Sequence, residues 1–184
     1  MAERLSSASS DDPIFLIKFA KGSTSLRDDW NSDTGELYEE AISFINTSIA
    51  TLEEDGYCPS IDAICWMQGE KDSYLDSHSE YKSLEKAFIE DIRNDLSPYA
   101  SEDGIGFVDA GISQCPYWAN YEEINKAKFE LSIEDEDHVF IDTIAAGLST
   151  DKEPYDSPDS MHYDSSSMIE LGRLFGTAII DHFL

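Results

Sequence analysis

Apolar positions along this chain follow two alternating periods. Ile14 to Ala20 (IFLIKFA) is a compact apolar run closed by Lys21-Gly22-Ser23, the pattern of a buried strand ended by a turn. From Leu37 to about Glu54, the residues Leu37, Ala41, Ile45, Ile49 and Leu52 recur near a helical spacing, and Gly56 follows as a stop signal. Ile61 to Met67 (IDAICWM) is again a compact run. Tyr81, Leu84, Phe88, Ile92 and Leu96 then mark one face of a helix that ends before Pro98. Ile105 to Ala110 and Val139 to Ile144 supply two more strands, with a charged helical stretch from Asn120 to about Ile133 between them. Met168, Leu171, Phe175, Ile179 and Phe183 predict a last amphipathic helix, with Ser165 to Ser167 available as N-caps.

Strands alternating with helices predict an α/β fold with a mostly parallel sheet covered on both faces. There is no internal repeat, low-complexity segment or long linker. One domain over 1–184 is expected, with Met1 to Pro13 as a polar N-terminal segment. Ligands in such folds bind beyond the carboxyl ends of the strands. That directs attention to the loops Lys21 to Trp30, Gln68 to Ser79 and Thr150 to Asp164.

With 41% hydrophobic and 11% aromatic residues, the chain can bury a substantial core. Its formal net charge of −27, from 39 acidic against 12 basic side chains, repels phosphate backbones and anionic lipid. Nucleic acid and membrane surfaces are therefore disfavoured as partners. The same self-repulsion makes adaptation to high salt a reasonable expectation. No secretory signal or membrane-spanning run is recognisable, and the compartment is left open. Cys58, Cys65 and Cys115 are an odd number without a CxxC pair or a ligand-spaced His, which excludes a disulfide framework and a zinc site. Cys65, in an apolar run, is expected to be buried. No metal or cofactor is called for.

Three constellations carry candidate chemistry. In Asp159-Ser160-Met161-His162, a carboxylate three residues before a His can orient its ring and stabilise the imidazolium formed in proton transfer. Directly after an apolar run stands Trp66-Met67-Gln68-Gly69-Glu70-Lys71-Asp72. There Gly69 permits a tight turn, and Gln68 can aim its amide at a developing oxyanion. In Lys18 to Leu26, followed by Trp30, Gly22 can present a backbone N–H to the same oxyanion. Each pattern taken alone is also an ordinary polar loop.

Taken in order, K-x-A-x-G-[ST]-x-x-L with a following Trp, then W-x-Q-G-E-x-D, then D-x-x-H before a final helix containing Leu171-Gly172, resemble the SGNH hydrolase superfamily. The branch resembled is that of sialate O-acetylesterases and related carbohydrate acetylesterases, from about Ile14 to the C-terminus. This resemblance implies a flavodoxin-like three-layer α/β/α sandwich and metal-independent hydrolysis of O-acetyl esters on carbohydrates. It implies His162 as general base, Asp159 as its orienting partner, and Gly22 and Gln68 as oxyanion donors. Glu70 and Asp72 are implied as supports of the Gln68 loop.

The nucleophile is the departure. The family's Ser follows the first strand in a G-[QD]-S-N type motif, and no such motif is found in this chain. Its opening, MAERLSSASSDDP, has Ser6, Ser7, Ser9 and Ser10 but no Gly or Asn neighbours. The first, central strand is accordingly expected to be missing, with weak or no activity in this form. A homo-oligomer that completes the sheet is a further expectation. Ser23, Ser25 or one of Ser6 to Ser10 acting as a substitute nucleophile is a rival. Other rivals are a non-catalytic carbohydrate-binding relative, with Trp30, Trp66, Trp118 and Tyr117 as stacking surfaces, and an acidic interaction protein.

Overall fold

The computed structural model describes residues 1–8 and 13–184, and eight regular elements follow one another along them. These are α1 (Ala2–Ser6), α2 (Glu36–Glu54), β1 (Ala63–Trp66), α3 (Tyr81–Asp95), β2 (Gly106–Ala110), α4 (Tyr121–Glu134), β3 (His138–Ile141) and α5 (Ser165–Phe183). The strands form a parallel sheet in the order β1-β2-β3. Trp66 lies opposite Asp109 and Val108 opposite Val139, so each pair of neighbours is joined by a helical crossover.

Alternation along β2 explains the layers. Phe107 faces a core made by Tyr38 and Ala41 of α2, Tyr81, Phe88 and Ile92 of α3, and Ile124 and Leu131 of α4. Val108 and Ala110 face the opposite way, onto Leu5 of α1 and Leu171, Phe175 and Ile179 of α5. The result is the α/β/α sandwich that the sequence predicts. All five residues of β2 are buried, as a strand covered on both faces requires.

Four local expectations change. Ile14 to Ala20 forms no strand: its residues make no backbone–backbone hydrogen bond among the described residues, and Ile14, Phe15, Leu16 and Ile17 are exposed. An apolar run becomes a strand only where a neighbour supplies a ladder, and none of the described residues supplies one here. Cys65 is exposed, because β1 is an edge strand whose residues are only partly covered; Cys115 is the buried thiol. The polar N-terminus contains a short helix that inserts Leu5, 2% exposed, against α5. Gly172 and Gly176 allow that approach, since a Cβ on Gly176 would lie 3.1 Å from the Arg4 side chain. Finally, α5 starts one residue earlier than the serines suggest. Asp164 is its N-cap residue, and the Glu153 carboxylate accepts from the Ser165 N–H at 2.8 Å.

Candidate active site

Two of the three expected loops are fastened together at the carboxyl end of β1. Gln68, 5% exposed, donates through Nε2 to the Thr24 carbonyl at 2.8 Å and to Asp72 Oδ2 at 2.6 Å. Asp72 is fully buried. Its carboxylate also accepts from the Leu26 N–H at 3.1 Å and the Ser77 hydroxyl at 3.0 Å. On the outside of this joint Lys71 Nζ meets Asp29 Oδ2 at 3.0 Å. The Asp29 carboxyl is held below its ordinary value because the Ser25 N–H and Lys71 outweigh the effect of burial. Asp72 therefore holds the Gln68 loop to the Gly22 loop.

Gly69 is required by this joint. Its φ is +132°, and a Cβ there would lie 2.6 Å from Ile124 Cγ2. Gly22, by contrast, has open space around its Cα, and among the described residues its N–H has no hydrogen-bond acceptor. Next to it Ser23 adopts a left-handed φ of 61°, a conformation rare outside Gly and Asn. Both amide N–H groups of Gln68 are already engaged, on Thr24 and Asp72. Donation to an oxyanion would require one of them to be released.

The third loop contains the Asp159–His162 pair. His162 Nδ1 lies 2.7 Å from Asp159 Oδ2, while Asp159 Oδ1 accepts from the backbone N–H groups of Met161 at 2.8 Å and His162 at 2.9 Å. Ser160, at φ 60°, makes the tight turn that lets one carboxylate serve all three donors. Those donors, the His162 N–H and ring first, pull the Asp159 carboxyl down to about 2. The His162 ring is 82% exposed, and the residue lines an open hollow of about 510 Å³ with Glu153, Tyr155 and Tyr163. Among the described residues no hydroxyl is hydrogen-bonded to this ring. Ser9 and Ser10 lie outside the described residues.

Main-chain and tyrosine contacts seat the His162 loop on the carboxyl end of β2. The Ser113 hydroxyl reaches the Met161 carbonyl at 3.5 Å, and the Tyr163 hydroxyl reaches the Gly111 carbonyl at 3.5 Å. Because β1 and β2 are parallel neighbours, the Gln68 and His162 loops share one rim of the sheet. Glu70, in the Gln68 loop, feels the charge of the His162 loop. Burial raises its carboxyl, while its own N–H and the charges of Lys128 and His162 act the other way. Gln68 and Gly22 do not line the hollow at His162.

The family model for carbohydrate esterase, sialic acid-specific acetylesterase, matches residues 1–181. The chain belongs to that family. No curated protein matches this sialic acid-specific acetylesterase family member. A solved structure of a protein from Arabidopsis thaliana is similar to it with a TM-score of 0.69 at 21% identity, over 89% of this chain and 58% of that one. At that identity the likeness concerns the fold. The chain thus spans about 58% of the length of its structural relative.

A buried charge cluster behind the Gln68 loop escaped the motif reading. The Lys128 amine lies 2.6 Å from Asp109 Oδ1 and 3.3 Å from Glu85 Oε1, and all three side chains are fully buried. His138 packs beside them, with Nε2 3.7 Å from Asp109 Oδ2. The available signal was Lys128 itself, which falls on the apolar stripe of Ile124, Ala127 and Leu131 where a cation needs a buried acid.

Among the aromatic residues expected as stacking surfaces, Trp30 is 5% exposed, and its ring meets that of Trp66 in the core at 5.0 Å between centroids. Tyr117 is exposed, and so is Tyr155, which was not singled out.

Proposed function

We propose that this domain acts in the hydrolysis of O-acetyl esters on carbohydrates, with His162 as general base and Asp159 as the group that orients it. One observation carries the reading. The hydrogen bond from Nδ1 to Asp159 leaves Nε2 as the proton-accepting nitrogen of an exposed ring that lines the hollow. In the reaction Nε2 takes the proton of the attacking hydroxyl and returns it to the departing sugar oxygen. The Gly22 N–H, and the Gln68 amide once released from Thr24 or Asp72, stabilise the tetrahedral oxyanion. Asp72 and Glu70 hold the donor loop in place.

Acetate release from acetylated sugars and from p-nitrophenyl acetate tests the proposal. Turnover by the wild-type chain and its loss in His162→Ala support it; equal rates in the two proteins overturn it. A fluorophosphonate probe followed by peptide mass spectrometry identifies the nucleophile if a Ser of this chain supplies it, with Ser23 and Ser25 in the Gly22 loop and Ser113 against Met161 as the ones to watch.

A second reading, sugar binding without turnover, is favoured by the bare His162 ring and the exposed Tyr155 beside it. Saturation-transfer NMR that detects a bound sugar with no acetate released selects it. A homo-oligomer that completes the sheet is part of the same proposal, supported by the exposed Ile14 to Ile17 and the half-covered β1 edge. A light-scattering mass equal to one chain removes it.

A further inference from the structure

The Tyr81 hydroxyl has one hydrogen to give and three oxygens around it: the Gln68 carbonyl at 3.1 Å, Gln68 Oε1 at 3.2 Å and Glu85 Oε1 at 3.0 Å. If Glu85 were a carboxylate, all three would be acceptors and two of the three contacts would lack a hydrogen in a fully buried site, whereas a proton on Glu85 Oε1 leaves only one without. A charge count points the same way. Lys128 supplies one positive charge to two fully buried acids, Asp109 and Glu85, and two ionised carboxylates would leave the core with an uncompensated negative charge. His138 does not balance it, since neither ring nitrogen has a hydrogen-bond partner among the described residues. Asp109 makes the shorter contact to Lys128, which marks it as the ionised member. Glu85 Oε2, like Asp109 Oδ2, is buried and without a hydrogen-bond partner among the described residues, which suits the uncharged carbonyl oxygen of an acid whose proton sits on Oε1, 3.0 Å from the Tyr81 hydroxyl.

We infer that Glu85 is a neutral carboxylic acid at pH 7, and that it and Tyr81 are positioning residues that fix the amide of Gln68. The resulting chain runs from Asp109 and Lys128 through Glu85 and Tyr81 to Gln68, and from there to Thr24 and Asp72. Given to Gln68 Oε1, the Tyr81 hydrogen tells the two ends of that amide apart. With Oε1 turned to Tyr81, Nε2 is turned to the Gly22 loop. The groups facing Glu85 are Tyr81 on its own helix, Lys128 on α4, Asp109 on β2 and His138 on β3, with Glu70 beyond Asp109. The assignment of a catalytic purpose to this arrangement rests on the esterase reading; the protonation state does not.

Infrared spectroscopy of the full chain at pH 7, in H₂O and D₂O, tests the inference without turnover. A protonated-carboxyl C=O stretch is expected in the wild-type protein, absent in Glu85→Gln and retained in Asp109→Asn. No such band, or one that survives Glu85→Gln, overturns it. The Gln68 side-chain N–H resonances test positioning separately. Glu85→Gln, which keeps a donor, is expected to leave their exchange with water within about twofold of wild type, and Tyr81→Phe to speed it at least about tenfold. Unchanged exchange in Tyr81→Phe overturns the positioning role. Should the infrared result hold while no variant or wild type releases acetate, the esterase reading fails and the neutral acid stands.

Discussion

The two halves of the site are built in opposite ways. The Gln68 loop is buried, its polar atoms answer to the Gly22 loop, to Asp72 of its own loop and to α3, and behind it stands a fully buried charge cluster. The Asp159–His162 turn is exposed, and its acid, base and supporting N–H groups all come from four consecutive residues. The donor side is thus a property of the whole fold, whereas the base side is nearly self-contained. Substitutions on the first side should unfold the protein before they reveal chemistry. Those on the second should change chemistry while leaving the fold alone.

The sharpest test of this contrast is Lys128→Met. It strands Asp109 and Glu85 without their cation, and breaking a buried pair in this way costs about 3–5 kcal/mol. Urea unfolding should show that loss with an unchanged m-value; a smaller change would mean that the cluster is hydrated and the donor side less dependent on the core. Asp72→Ala comes next. It leaves the Leu26 N–H, a Gln68 N–H and the Ser77 hydroxyl without their acceptor, for a loss of about 1–3 kcal/mol. Faster hydrogen exchange at Leu26 should accompany it.

A pH series separates the cluster's members. Burial first, and then Asp109, raises Glu85 from 4.5 to about 8, so the folded state keeps a proton that the unfolded chain releases. This contribution is complete below pH 4.5 and is lost as pH rises towards about 8. Asp109, raised by burial to about 6, behaves in the same way over a lower range. His138 works in the other direction. Burial lowers it from 6.5 to about 4, so its contribution is lost as pH falls through that interval. Between pH 6.5 and about 8, Glu85 dominates the cluster, and Tm should fall with rising pH. Glu85→Gln should flatten that slope, and an unaltered slope would assign it elsewhere.

How much of this was legible in the sequence depends on the range of the interactions. Apolar spacing located α2, α3 and α5, short apolar runs located β1, β2 and β3, and α4 was read from the charged stretch between two of those runs, because each of these signals is local to its element. The apolar run failed at Ile14 to Ala20, since being a strand depends on a neighbour that local sequence does not contain. Asp159 and His162 were legible because their contact spans three residues. Gln68 was legible as a motif position, but its engagement with Thr24 and Asp72 was not. Glu85, Asp109 and Lys128 lie far apart in the chain, and only a cation on an apolar stripe hinted at them.

The smallest structural effect is expected at His162 itself. Its ring is 82% exposed and bonded only within its own turn, so His162→Ala should leave the urea midpoint unchanged. If the esterase reading holds, the same substitution should lower acetate release by about 10³-fold or more. Asp159→Asn tests the turn more finely, because an amide can still accept from the Met161 and His162 N–H groups through its oxygen while its NH₂ faces the ring. That would hold the wrong tautomer for a base in an otherwise intact loop. The Asp159 carboxyl is pulled down to about 2, so its orienting charge is fully present above about pH 3.8 and lost only as pH falls through about 2. A fall in thermal stability with either substitution as large as that of Asp72→Ala would show that the base side is braced by the fold after all.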